Sequence, residues 1–301
     1  MSLLWVWVTL AAAAAQTLRF LLQRQLAGAG RGGGLSAGGA TFSRFLFGAP
    51  IASLIAAGLF AAGARVAVPG AGFFGFVLLG GAAQVVATFL TVRLFSLRNF
   101  AVGVAFTKTE AVQVAILSAV LLGERVSALG WAGIGVGLLG VLLLSRPPEG
   151  FSARAMVYGV AAGGLFGLSS ICYRGATLAL EPAPFLARAF VTLACVTLAQ
   201  SLGMALYLRL REPGELGRVL GSWRRTVWVG VTGVAGSAGW FTAFALMNAA
   251  YVRALGQVEM VFTLLASVFW LRERLSAREG AGMALVVGAL LLIVAAQAGG
   301  G

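Results

Sequence analysis

The sequence contains no histidine. That absence removes His-based zinc sites, His-dependent catalytic triads and His proton relays together. Cysteine is almost as scarce. Cys172 and Cys195 are the whole complement, and both fall inside apolar runs, which points to buried packing thiols and not to a disulfide framework or a metal site. Charge is thin as well. Charged residues are 10% of the 301, where a soluble domain carries about a quarter, and no segment between the apolar runs is long enough for a soluble domain. What is abundant is apolar: 60% of the residues, with a mean hydropathy of +0.96. This is the composition of a polytopic membrane protein.

Spanning helices need about 20 mostly apolar residues. Ten runs qualify: 3–22, 39–62, 71–92, 99–122, 127–145, 154–174, 183–208, 225–247, 251–271 and 277–297. Membrane β-strands are excluded, because they are shorter and alternate apolar with polar. The net charge of +13 is spread mostly singly over the ends of the runs, as in an ordinary membrane protein, so no nucleic-acid partner is expected. Residues 1–4 (MSLL) lack the basic start of a signal peptide, and the first run is read as a retained helix. The Gly-rich stretch 27–39 lacks the lysine of a phosphate loop and follows no strand.

Sliding the sequence by 149 residues exposes an internal repeat. "EAVQVAILSAVLLGERVSALGWAG" (110–133) falls on "EMVFTLLASVFWLRERLSAREGAG" (259–282). Glu110 lands on Glu259, Glu124-Arg125 on Glu273-Arg274, and Asn99 on Asn248. Apolar coincidences are cheap in such a chain; polar ones at a fixed offset are not. Weaker echoes bring Arg24 onto Arg174 and Arg44 onto Arg188. The expected fold is all-α: ten transmembrane helices as two five-helix repeats, residues 1–146 and 147–301. An odd number of spans per repeat forces the halves into opposite orientations, a recurrent plan of secondary transporters.

Two five-helix halves, each closing with "LLGER" or "WLRER" before a Gly/Ala-rich fifth helix, resemble the drug/metabolite transporter superfamily and, within it, the ten-helix EamA-type branch. The resemblance covers nearly the whole chain and is most specific over 97–145 and 246–294. It implies a transporter of small metabolites, with amino-acid exporters among the relatives, in a bacterial inner membrane. The small four-helix multidrug exporters of that superfamily use a membrane-embedded Glu in their first helix. Here runs 3–22 and 154–174 contain no acid, a departure that argues against proton-coupled export of lipophilic cations.

Connections on one side of the ten runs carry fourteen arginines and those on the other side three, Arg65, Arg125 and Arg174. Basic residues concentrate on the cytoplasmic face, so both termini are expected outside. Seven charges remain within the runs: Arg19, Arg44, Lys108, Glu110, Arg188, Arg253 and Glu259. A charge at the bilayer centre costs at least about 2.5–3.5 kcal/mol. Arg19, Arg44 and Arg188 are expected to snorkel to an interface. Lys108 and Glu110 are two apart, point to different sides of a helix and cannot pair well with each other. Their partners are expected on the equivalent helix, where Arg253, Gln257 and Glu259 stand. "TKTE" (107–110) is then half of a polar centre and "RALGQVE" (253–259) the other half.

Gln84, Trp240 and Phe241 complete the candidate cavity residues. Gly230, Gly233, Gly236 and Gly239 form a small-residue stripe that reads as close helix packing, as does Gly133-x-x-x-Gly137. The function expected is secondary transport by alternating access at a mid-membrane cavity, with a small-molecule substrate, the lipid bilayer as surroundings, no cofactor or metal, and a monomer or weak homodimer. A non-transporting scaffold or receptor stays open as the alternative. An intramembrane enzyme is the remaining class, and the sequence offers no convincing nucleophile–base set for it.

Overall fold

The computed structural model describes residues 3–28, 35–95, 106–144, 153–271 and 276–298. The expected matches at Asn99 and Glu273-Arg274, and part of the arginine bias (Arg31, Arg98, Arg146, Arg272), lie outside them. All regular structure among the described residues is helical. The helices are α1 (Leu4–Gly28), α2 (Ala37–Leu46), α3 (Gly48–Ala61), α4 (Ala71–Phe95), α5 (Glu110–Leu122), α6 (Ala128–Leu144), α7 (Ala153–Leu178), α8 (Phe185–Arg211), α9 (Glu215–Gly221), α10 (Trp223–Leu246), α11 (Ala249–Gly256), α12 (Glu259–Leu271) and α13 (Ala277–Ala298).

Among the described residues, six stretches are long and apolar enough to cross a bilayer: Gly38–Ala61, Ala71–Thr91, Ala153–Leu178, Phe185–Arg211, Thr226–Leu246 and Ala277–Gln297. The helices Glu110–Leu122 and Ala128–Leu144 are apolar but shorter. Large apolar side chains cover the outside, with Leu54 and Val120 more than 70% exposed. A surface of this kind is stable only against lipid tails.

Three of the expected continuous helices are interrupted: run 39–62 is parted at Phe47 into α2 and α3, and two others break beside the charges. Expected helix 251–271 is split into α11 and α12 by a tight turn, in which Gln257 N–H bonds Ala254 O and Val258 N–H bonds Leu255 O. Expected helix 99–122 enters α5 through a turn at 106–109, where Thr109 N–H bonds Phe106 O. Glu110 and Glu259 therefore each stand in the first turn of a helix. Aligned peptide dipoles favour a carboxylate there by about 0.3–1 kcal/mol. Helical periodicity reports which residues are apolar, not where the backbone bonds shift, so the breaks leave no mark on the apolar pattern.

Packing pairs elements from opposite ends of the chain. α1 lies on α10, α4 on α7, α3 on α8, α6 on α13, and α5 on both α7 and α11. α1 also touches α12. Small residues permit these approaches. A Cβ on Gly140 would stand 2.9 Å from Gly282 O, and one on Gly133 2.8 Å from Ile293 Cγ1, so the Gly133/Gly137 motif packs within the chain. The glycine stripe of α10 does likewise: Gly230 abuts Phe47, and Gly239 abuts Ala12 of α1.

Candidate functional site

The charges of "TKTE" and "RALGQVE" meet at the starts of α5 and α12. Lys108 Nζ lies 2.5 Å from Glu259 Oε1, and Arg253 Nη2 lies 2.6 Å from Glu110 Oε2. Each pair joins the two halves of the chain. A lone buried ion is costly, and a partner with further hydrogen bonds offsets that cost. The further bonds come from α1 and α10. Gln16 Nε2 donates to Glu259 Oε2 at 2.7 Å, Trp240 Nε1 donates to Gln16 Oε1 at 3.2 Å, and the Arg253 guanidinium sits 4.9 Å from the Trp240 ring centroid. The space enclosed by Lys108, Glu110, Ala111, Arg253, Gln257 and Glu259 admits little more than water.

The other candidates divide between this centre and a neighbouring one. Gln257 borders the ion pairs and packs against Gly137. Gln84 and Phe241 belong to a second small cavity. There Gln84 Oε1 accepts from Tyr173 Oη at 3.1 Å and from Gln200 Nε2 at 2.8 Å, while Phe241 stacks on Tyr173 with centroids 4.5 Å apart. Adjacent positions on α10 thus serve different centres, because successive helical residues point about 100° apart.

The expectation is corrected for Arg19 and Arg44, whereas Arg188 reaches the exposed Glu181 beyond the start of α8. Arg19 is 5% exposed. Arg44 lines the second cavity. Arg188 bonds Glu181 Oε1 at 2.5 Å and Ala245 O at 3.2 Å. The reason is packing: the stems of Arg19 and Arg44 both lie over Gly233 of α10, at 3.7 and 3.5 Å from where its Cβ would stand, which is ordinary van der Waals contact. Sequence reasoning missed Gln16, Tyr173 and Gln200 as well. For Gln16 a signal existed, since Gln16 and Arg19 stand three apart on one helical face.

Polar clasps close both ends of the bundle. At one end Gly123, at φ +68°, ends α5 in the left-handed conformation that glycine adopts freely. The chain turns, and Glu124 Oε1 accepts from Arg174 Nε and Nη2 at 3.0 and 2.8 Å. Arg174 Nη1 also donates to Phe244 O at 2.7 Å. At the other end α8 terminates beside the start of α2. Ser36 N donates to Glu215 Oε1 at 2.5 Å, Ser36 Oγ bonds Glu212, and Arg218 pairs with Glu215. Each clasp ties a residue before position 147 to residues after it.

Residues 153–295 match the EamA-like transporter family. The second half of this chain is similar to that family. The family belongs to the drug/metabolite transporter superfamily of membrane transporters, and the matched stretch contains Arg253 and Glu259, while Lys108 and Glu110 precede it. The whole chain also superposes on a solved crystal structure at a TM-score of 0.72, with 18% identity over 99% of this chain and 98% of that one. At that identity the likeness speaks for the fold alone. None of the curated proteins matches.

Proposed function

We propose that the protein is a secondary transporter that exports small metabolites such as amino acids, working by alternating access between two inverted five-helix halves, 1–146 and 147–301. The observation that carries the reading is the pair of cross-half ion pairs, Lys108–Glu259 and Arg253–Glu110, seated where two helices are interrupted. Interrupted helices whose ends meet at mid-membrane are how transporters build substrate and ion sites. The packing supports the inverted halves. Exchanging the halves converts α1 on α10 into α7 on α4, and α1 on α12 into α7 on α5, while α6 on α13 maps onto itself. Clasps at both ends and water-sized inner cavities fit a closed intermediate between two open states. A scaffold has no need of charges in the bilayer at this cost.

Reconstitution into proteoliposomes with a panel of amino acids, nucleosides and organic cations tests the reading. Accumulative or counterflow uptake of a small metabolite is expected. Folded protein that moves nothing across the panel would return the scaffold reading.

Both termini are expected on the non-cytoplasmic face of a bacterial inner membrane. Alkaline phosphatase fused to the C-terminus should be active and a fluorescent protein fused there dark; the opposite result reverses the topology.

A further inference from the structure

Arg44 is a cation of the second cavity. It makes no hydrogen bond and no ion pair among the described residues, and its guanidinium lies 5.4 Å from the Phe45 ring centroid. It borders the second cavity, where no carboxylate is among the lining residues. Donors there are left over. The Gln84 amide oxygen is taken by Tyr173 and Gln200, but its nitrogen bonds nothing among the described residues, and neither does the Ser237 hydroxyl. Gln200 Oε1 is the acceptor left unpartnered. The stem of Arg19 reaches the same glycine, Gly233, as that of Arg44. Both acids of the neighbouring centre are engaged, Glu110 by Arg253 and Glu259 by Lys108. The second cavity therefore presents unmet donors and positive charge with no carboxylate among its lining residues, whereas in the neighbouring centre Glu110 Oε1 is a buried oxygen without a hydrogen-bond partner among the described residues.

We propose that Arg44, with Gln84 and Ser237, is the docking point for the carboxylate of an organic-anion cargo. The proposal rests on the transport reading and narrows it: the carboxylate is the group recognised, and an amino group is dispensable. A guanidinium with adjacent neutral donors is the chemistry that replaces the hydration shell of a carboxylate, through strong charge-assisted bonds. Beside Thr197 and Gln200, most of the remaining wall is apolar, with Phe45, Leu193, Val196, Val234 and Phe241. It offers a surface to an aliphatic or aromatic body, which an inorganic ion would leave unmatched. The cavity holds about one water here, so cargo enters once the bundle opens.

Calorimetric titration of the purified full chain with four probes that share one branched aliphatic end tests this: isocaproate, L-leucine, isocaproamide and isoamylamine. The two acids should bind, and the amide and the amine should bind at least about tenfold more weakly, a difference of about 1.4 kcal/mol. Arg44→Gln should weaken isocaproate binding by at least the same factor. Gln84→Glu, which sets a carboxylate into the same cavity, should abolish it and raise the melting temperature. That second variant decides the matter if Arg44→Gln does not fold. Equal binding of amide or amine, no binding of either acid, or unchanged isocaproate binding in both variants overturns the proposal. So does saturable chloride binding that needs Arg44 while isocaproate does not bind, which would mark an inorganic-ion site. Acid binding without flux in proteoliposomes would count against the transport reading and leave this site standing. Leucine flux with isocaproamide carried equally well would do the reverse.

Discussion

Glu259→Gln is expected to lower stability by about 3 kcal/mol, and adding Lys108→Gln is expected to return most of that loss without returning flux. Glu259 holds Lys108 on one oxygen and Gln16 on the other, and both side chains of the ion pair are less than a fifth exposed. Removing one member of a buried pair leaves the other charge uncompensated, which typically costs about 3–5 kcal/mol; removing both deletes the problem. The same cycle with Glu110→Gln and Arg253→Gln should behave alike, softened because Arg253 keeps the face of Trp240. Thermal melting in detergent reads stability, and proteoliposome uptake reads flux. Singles and doubles of equal stability would show that the pairs are not coupled. A double variant with full flux would make the pairs packing elements only, and the transport site would lie elsewhere.

Joining the halves at the Ser36 clasp should stop transport completely. A Cβ on Gly39 would lie 3.0 Å from Glu215 Cγ, which puts cysteines at these two positions within reach of a disulfide, whose Cβ atoms sit about 3.5–4.5 Å apart. Gly39→Cys with Glu215→Cys, in a Cys172→Ala, Cys195→Ala background, should carry cargo when reduced, lose all uptake when oxidised and regain it with dithiothreitol. The reason is mechanical. Access from this end requires α2 to separate from α9, and a covalent bond between them holds the end shut. Unimpaired uptake by the oxidised form would mean that this end does not open and would defeat rocking halves as the mechanism.

The pairing of Lys108 and Glu110 illustrates how far sequence reaches here. Their spacing of two on a helix forbade a mutual bond, and the offset of 149 pointed to Arg253 and Glu259 as the other half of the polar centre. The individual bonds, Lys108 to Glu259 and Arg253 to Glu110, were not legible. Arg253 and Lys108 occupy different places relative to their own glutamates, so the repeat could not assign partners. Arg19 and Arg44 show the opposite failure. A long cation in a helix near an apolar run reads as snorkelling, and only the packed helices reveal that both stems lie inside, over Gly233 of α10.

What the sequence determined by itself was the solvent and the secondary structure. Apolar runs of about 20 residues cannot leave backbone groups unbonded in lipid, so they must be helices, and a chain without histidine had to build its polar centre from lysine, arginine, glutamate and amides. What tertiary structure alone decided was which polar groups meet. The breaks before Glu110 and Glu259, the clasp that brings Ser36 to Glu212 and Glu215, and the cavity that leaves Arg44 facing Gln84 and Ser237 all depend on contacts between segments far apart in the chain. Helical periodicity fixes a face. The partner opposite that face is set by how closely two backbones approach, and that distance is governed by glycines whose role shows only when the helices are packed.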